Sequence, residues 1–244
     1  MSAPLGSPRV HLRLTDSTNE RARALALAGA PHGTLVTAAE QSAGRGRQGR
    51  RWSAPAGSAL LMSLLLRPAP LLLPLMSAVA VCDVAGEDAR IKWPNDIVLA
   101  HAPGRGGPPL GKLAGILAEG RPREGWAVLG IGLNVAVALG ELPQELREPE
   151  PGRLPAATMG RSRADVEPTL AALLDALDRR LAEPAERTLA AWRERDALRG
   201  REIAWQGGRG RAEGIDGEGR LVVELTGGGR TALGAGEVHL ESVG

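Results

Sequence analysis

Residues 44–52 read GRGRQGRRW, four arginines and three glycines in nine positions, closed by a tryptophan. So much fixed positive charge on so pliable a backbone suits the holding of an anion, and guanidinium groups match phosphate and carboxylate in shape. Three kinds of chemistry compete for the segment: a dinucleotide fingerprint, a nucleic-acid-binding arm, and a loop that closes over a phosphorylated intermediate. Two other strings carry the only lysines, Lys92 in KWPND and Lys112 in GKLAGILAE, and the only asparagines fall in DSTN (Asn19), KWPND (Asn95) and GIGLN (Asn134). The chain has no Phe and no Tyr. All four residue types have AT-rich codons, so a GC-rich coding bias has replaced them wherever a substitute served. A lysine kept against that bias marks a place where a compact ammonium is required and a planar guanidinium does not fit.

Gly44, Gly46 and Gly49 satisfy G-x-G-x-x-G literally, but that fingerprint must open a helix whose N-terminus receives the pyrophosphate, and here the strand-like SALLMSLLL follows. The stretch GGPPLGKL at 106–113 approaches a P-loop. It lacks the Ser/Thr that would ligate magnesium, and Pro108 and Pro109 remove N–H groups from the cradle. It reads as a crossing loop that delivers Lys112. A nucleic-acid arm would be repetitive and interleaved with aromatics, whereas the arginine motif occurs once between ordered segments. The four histidines show no metal-ligand spacing and no G-x-S-x-G occurs, so zinc hydrolysis and serine-triad chemistry have no support.

The elements that must position these groups follow from periodicity. RVHLRL reads as a first strand, and DSTNERARALALAGAPHG as a helix that opens on capping residues and stops at Gly29 and Pro31. GTLVTAAEQ and SALLMSLLL are strands on either side of the arginine loop, and PLLLPLMSAVAVCDVAG is a buried helix. RIKWPNDIVLA, GKLAGILAEG and GWAVLGIGLNVAV read as three further strands, giving a mixed sheet. From Asp165 the pattern turns helical, with Val166, Leu170, Leu173, Leu174, Leu177 and Leu181 on one face, and a second helix follows around AERTLAAWRERDAL. These helices are expected to cover the sheet. Beyond Gly200 short glycine-punctuated strands predict a small all-β unit.

Composition limits the alternatives. A chain of 244 residues is long enough to bury a sizeable core, and a net charge of +2 does not imply bulk nucleic-acid binding. Cys82 is alone and lies in an apolar run, so it forms no internal disulfide and reads as buried filler in a reducing compartment. The N-terminus has no apolar signal-like core, and Arg67, Pro68, Pro70 and Pro74 break the longest apolar stretch. The expectation is a cytoplasmic protein without a membrane segment.

In this combination and order the strings DSTN, EQSAGRGRQGRRW, KWPND, GKLAGILAE and GIGLN resemble the biotin protein ligases, the motifs spanning roughly residues 10 to 140. The resemblance implies an α+β fold: a class II synthetase-like catalytic domain, 1–197, with a mixed sheet covered by helices, and a small SH3-like β-barrel, 198–244. It implies a ligase that makes biotinyl-5′-AMP from biotin and ATP with Mg²⁺, then acylates a lysine on the biotin carboxyl-carrier domain of acetyl-CoA carboxylase or a related carboxylase. Arg45, Arg47 and Lys112 are the implied catalytic cations. Ser17, Thr18, Asn19 and Gln41, with Arg45, Gly46, Arg47, Lys112 and Gly115, are implied for biotin. Arg45, Arg47, Arg50, Trp52, Asn95, Asp96 and Asn134 are implied for the nucleotide, with Asn95 and Asp96 also candidates for Mg²⁺. Simpler readings stand beside several of these: helix caps at Ser17 and Thr18, a core tryptophan at Trp52, a structural ion pair at Lys92. No adenine-stacking residue is assigned, and monomer and homodimer both remain open. Few residues precede the first strand, so no N-terminal DNA-binding domain and no sequence-specific DNA are expected. The competing readings are a lipoate-type ligase, disfavoured by GRGRQGRRW and KWPND, and an arginine-loop nucleic-acid binder.

Overall fold

Seven strands pair into one sheet: β1 (Arg9–Thr15), β2 (Leu35–Gln41), β3 (Ala59–Leu66), β4 (Ala89–Lys92), β5 (Asp96–Ala100), β6 (Leu110–Arg121) and β7 (Trp126–Asn134), in the order β1-β2-β3-β7-β6-β5-β4. The computed structural model describes residues 4–100, 110–121, 124–150, 153–234 and 238–240. The Gly/Pro-rich stretch 101–109, read above as a crossing loop, lies outside the described residues. β1 and β2 are parallel and every other neighbouring pair is antiparallel, so the sheet is mixed as expected. RIKWPNDIVLA differs from its reading as one strand: it is a hairpin, with Lys92 paired to Asp96 across a turn at Pro94. The physical reason is that proline has no N–H for the ladder and is confined to the bend.

Strand alternation divides the sheet into two faces. On one face Leu35, Met62, Leu64, Leu66, Leu129, Ile131 and Leu133 join the main core. Two helices cover it there: α2 (Leu73–Ala85), apolar except for Ser77 and Asp83, and α4 (Val166–Ala182), which buries Leu170, Leu173 and Leu177. The intervening α3 (Gln144–Arg147) is a single turn. On the other face Val36, Leu65 and Val128 pack under Ala22 and Ala26 of α1 (Thr18–Leu27). Cys82 is fully buried in α2, and burial pushes its thiol up to about 12, so it is inert filler.

After α5 (Ala185–Glu194), the strands β8 (Glu202–Trp205), β9 (Gly208–Ile215), β10 (Leu221–Leu225), β11 (Arg230–Leu233) and β12 (Val238–Leu240) form a separate antiparallel sheet in the order β11-β10-β9-β8-β12. Ile203, Ala212, Leu221, Val223 and Val238 from this sheet belong to the same apolar cluster as Trp192 and Ile91. Its attachment is thus through core packing as well as sequence.

Asp196 sits at this junction. One carboxylate oxygen accepts the Leu198 N–H at 2.8 Å, while Oδ2 is buried with no partner among the described residues. Burial pushes the carboxyl above the usual carboxylate range, outweighing the backbone N–H groups that lower it. A group raised in the folded state contributes stability that is full below its unfolded value, near pH 4, and is lost as pH rises through the folded value. Asp196→Asn keeps an acceptor for Leu198 and removes the ionisation. Its melting temperature relative to the wild type is therefore expected to rise between pH 4 and pH 7, and a difference independent of pH would contradict the assignment.

Candidate active site

The arginine segment is a tight β-hairpin rather than an open loop. Gly46 N–H donates to Arg50 at 2.7 Å, Trp52 N–H to Gly44 at 2.9 Å, and Arg45 bridges Arg51. At the tip Gln48 (φ 54, ψ 37) and Gly49 (φ 73) both take positive φ, and the Arg50 N–H closes on Arg47 O at 3.1 Å. This is the type I′ pattern whose twist suits a hairpin. Gly49 adopts the conformation freely, whereas Gln48 is strained there. Gly44 is required by close approach, since a Cβ would overlap the carbonyl of Trp52.

Lys112 reaches the site through an irregularity in β6. Ile97 pairs with Ala114 but its neighbour Val98 pairs with Lys112, so β6 carries one extra residue at that point. Three-residue spacing on a regular strand places side chains on opposite faces. The bulge turns both Leu113 and Ala114 into the core and leaves Lys112 on the same face as Gly115, whose Cβ would lie 3.7 Å from Lys112 Cε. The displaced backbone groups are satisfied by a neighbouring segment: Lys112 N–H donates to Pro155 at 2.6 Å and Ala157 N–H to Lys112 O at 2.8 Å.

Glycines clear space on this face. A methyl at Gly130 would overlap the Asn19 amide, and one at Gly132 would lie 2.5 Å from Trp52 Cε2. Asn19 and Trp52 therefore rest directly on the sheet. From Asn19 a hydrogen-bonded chain runs along the cavity wall. Gln41 Oε1 accepts the Thr18 N–H at 2.7 Å and lies 3.1 Å from the Thr18 hydroxyl. Ser63 Oγ stands 2.8 Å from Thr18 Oγ1 and 2.6 Å from Asn19 Oδ1. A hydroxyl has one proton: Ser63 gives its own to the closer amide oxygen of Asn19, which can only accept, and the Thr18 hydroxyl has one proton to share between Gln41 Oε1 and Ser63 Oγ. This fixes the Asn19 amide, whose Nδ2 donates to Glu119 at 2.8 Å. Ser17 occupies the N-cap position of α1 but its side chain makes no cap bond; the first-turn N–H is held instead by Gln41 from β2.

The cations are held from several directions. Arg45 pairs with Glu20 of α1 and with Glu119 of β6, the latter at 3.3 Å. Arg47 donates to Asn95 Oδ1 at 3.0 Å, and Asn95 in turn donates to the Ile116 carbonyl at 3.1 Å. Lys112 Nζ is 2.8 Å from Asp96 Oδ1 and 5.9 Å above the Trp52 ring. Asn134 donates to Ala157 O at 2.9 Å. Lys92, 6% exposed, donates to the Val238 carbonyl at 2.7 Å and also lines the cavity.

One cavity of about 250 Å³ collects these groups. Ser17, Thr18, Asn19 and Gln41 line it with Arg45, Gly46, Arg47, Arg50, Trp52, Asn95, Asp96, Lys112, Gly115 and Asn134, so every residue that the resemblance implied for biotin or the nucleotide contributes to its wall. The wall also includes Glu145, Leu146, Arg153 and Leu154, which sequence reasoning did not assign. Ser63, Glu20 and Glu119 were missed as well. A serine inside the apolar run ALLMSLLL was the available signal for the first; the two glutamates carry none.

The chain matches the family model described as the biotin/lipoate A/B protein ligase family over residues 11–135. The biotin--[acetyl-CoA-carboxylase] ligase of Mycobacterium tuberculosis is 35% identical over 93% of this chain and 86% of that protein. The bifunctional ligase/repressor BirA of Bacillus subtilis is 38% identical over 59% of this chain, and the match spans about 45% of that longer relative. Among solved structures, a biotin protein ligase from Aquifex aeolicus in complex with biotin and ATP superposes with a TM-score of 0.77 at 25% identity, over 96% of this chain and 99% of that one. The fold, the ordered motifs and these relatives agree that the chain belongs to the biotin/lipoate A/B protein ligase family.

Proposed function

We propose that this protein is a biotin ligase: it joins biotin to ATP, giving biotinyl-5′-AMP and pyrophosphate, and passes the biotinyl group to a lysine of a carboxylase biotin-carrier domain. The observation that carries the reading is that one cavity has two chemically distinct ends, the hydroxyls and amides of Ser17, Thr18, Asn19 and Gln41, and the cations Arg47 and Lys112. The first end suits a neutral ureido ring. The second suits a carboxylate attacking an α-phosphate, a step in which two anions meet and negative charge builds on the phosphate as the bond to pyrophosphate breaks.

In this reading Lys112 bridges the biotin carboxylate and the phosphate, with Asp96 and the Trp52 face orienting its ammonium. Arg47 and Arg50 face the triphosphate. The carrier lysine then attacks the acyl carbon as a free amine, and AMP departs with the bonding pair. No cluster of three acidic, His or Cys ligands occurs among the described residues, and Asp96 with Asn95, which line the cavity, would offer oxygens to a magnesium ion arriving with the nucleotide. When bound it would neutralise phosphate charge. The five-stranded unit, taken as residues 198–244, is proposed as a support beside the acceptor's approach. No helix among the described residues is long and apolar enough to cross a membrane, which accords with a cytoplasmic carrier-protein partner.

Purified protein with biotin, MgATP and a carrier domain is expected to add one biotin to one lysine, read by mass spectrometry. Calorimetry showing no biotin binding would remove the proposal. Lys112→Arg is expected to slow pyrophosphate release about tenfold or more despite the retained charge, because a guanidinium is too broad for the space between Asp96 and Trp52. An unchanged rate would take Lys112 out of the chemistry. Two glycine substitutions separate the ends of the cavity. Gly130→Ala displaces Asn19 and should weaken biotin about tenfold or more, with a smaller effect on ATP, while Gly132→Ala displaces Trp52 and should do the reverse. Equal losses from both variants would contradict the division.

A further inference from the structure

The two ends of the seven-stranded sheet are finished differently. At β4 the chain 195–197 covers the outer edge, with the Ile91 N–H donating to Arg195 O at 2.7 Å and the Ala197 N–H to Ile91 O at 2.9 Å. At β1 no further strand follows among the described residues. The parallel ladder there opens with the Leu35 N–H on the Pro8 carbonyl at 2.9 Å and sets Arg9 opposite Leu35. Alternation then turns the backbone groups of Val10, Leu12 and Leu14 towards β2 and those of Arg9, His11 and Arg13 outwards. The side chains divide in the same way. Val10, Leu12 and Leu14 stand on the α1 side of the sheet, and with Ala24, Leu25 and Ala28, a single stripe of α1, they line a groove of about 510 Å³. Val10 is 38% and Leu14 55% exposed, so apolar surface meets water along this edge. On the opposite face Arg9 donates to Thr37 and pairs with Glu167 of α4 at 2.7 Å. Arg13 is exposed there, and its guanidinium makes no hydrogen bond or ion pair among the described residues.

We propose that the β1 edge is a docking surface for an extended segment of a partner protein, one that alternates apolar and acidic residues and adds an antiparallel strand to the sheet. The outward backbone groups of β1 hold it by main-chain hydrogen bonds. Its apolar side chains enter the groove beside α1, and its carboxylates lie opposite His11 and Arg13. Charge decides against the obvious alternative, a second copy of this chain. In an antiparallel ladder, residues whose backbone groups point outwards pair with residues whose groups point back at them. Every register of β1 on a second β1 therefore sets the row Arg9, His11, Arg13 against the same row, and like charges directly opposite are destabilising. Glu167 neutralises Arg9 and leaves Arg13 without a counter-charge. An acidic strand supplies it. The same lone cation that discourages chance pairing with basic or apolar strands thus selects a partner of opposite sign.

The probe is a capped, fluorophore-labelled peptide of alternating glutamate and valine, matched to the seven residues of β1 and titrated with the full chain. Its counterpart carries lysine for glutamate. The wild type should bind the glutamate peptide about fivefold or more tightly than the lysine peptide. Methylating the glutamate nitrogens, which face β1 in the antiparallel ladder, should abolish binding, while methylating the valine nitrogens should not. Arg13→Glu should reverse the charge preference, and Leu14→Asp should weaken both peptides about tenfold or more, since it places a carboxylate in the groove. Melting curves on both variants identify any loss of fold, and the methylated peptides test the wild type itself. The idea is overturned if neither peptide binds, if Arg13→Glu keeps the wild-type preference, if Leu14→Asp binds as the wild type does, or if the two methylations act alike. Sedimentation showing a dimer that Leu14→Asp dissolves would make a second copy the occupant and overturn it equally.

Discussion

The site depends on one extra residue in β6. A lysine and a glycine three positions apart on a flat strand face opposite ways, and a regular register would send Lys112 into the core beside Ala114. The bulge removes that conflict by spending its irregularity on Leu113, which stays in the core while Lys112 returns to the face of Gly115. The consequence spreads outward. The backbone of Lys112 leaves part of its ladder and is taken up by the Pro155 carbonyl and the Ala157 N–H, and the carbonyl of Ala157 accepts from Asn134. Lysine, bulge, covering segment and the end of β7 form one mutually dependent unit.

Around it, shape comes from what is missing and direction from ion pairs. Gly115, Gly130 and Gly132 strip one face of the central strands, and Trp52 and Asn19 fill part of the space. Half-exposed pairs such as Arg45–Glu119 contribute little net stability, because solvent screens them and ordering long side chains opposes them. Their value is orientation. Arg45, Arg47 and Lys112 are each tied to a different element, through Glu20 and Glu119, Asn95, and Asp96 respectively. Charges of one sign are thereby gathered in one cavity without having to hold one another in place.

Much of this was legible in the sequence, and the parts that were not share a cause. The strands, the long helices and their covered faces follow from periodicity, which records burial locally. The retained lysines and asparagines marked the cavity because a compositional bias made them conspicuous. What sequence reading missed are relations through space: the hairpin within RIKWPNDIVLA, the role of Ser63 opposite Gly130, and the glutamates behind Arg45. Glu20 and Glu119 are ordinary surface residues by type and spacing, and only the packing of α1 beside β6 reveals them. The pattern GIGLN did hold a signal that went unused, since its two glycines alternate with period two and must lie on one face.

Lys92 carries this reasoning to the C-terminal sheet. The competing readings made it either a ligand contact or a structural partner, and its geometry combines the two: a nearly buried ammonium that reaches the cavity while donating to the Val238 carbonyl of β12. The adjoining Trp93 indole donates to Gly219 O at 3.1 Å, so consecutive residues of the KWPN turn hold the C-terminal sheet at two points. A buried ammonium needs such acceptors, because removing one strands an uncompensated charge. The proposed division at residues 197 and 198 therefore marks a change of topology and not an energetic gap, since the cluster containing Ile91 and Trp192 continues into Ile203, Leu221 and Val238. A protein with this arrangement has little freedom to move the sheet independently of the floor on which Lys92 and Asp96 stand. The arginine hairpin is attached differently: ion pairs and hydrogen bonds hold its arginines, and Trp52 at its base packs against the apolar cluster of Ala59 and Leu61.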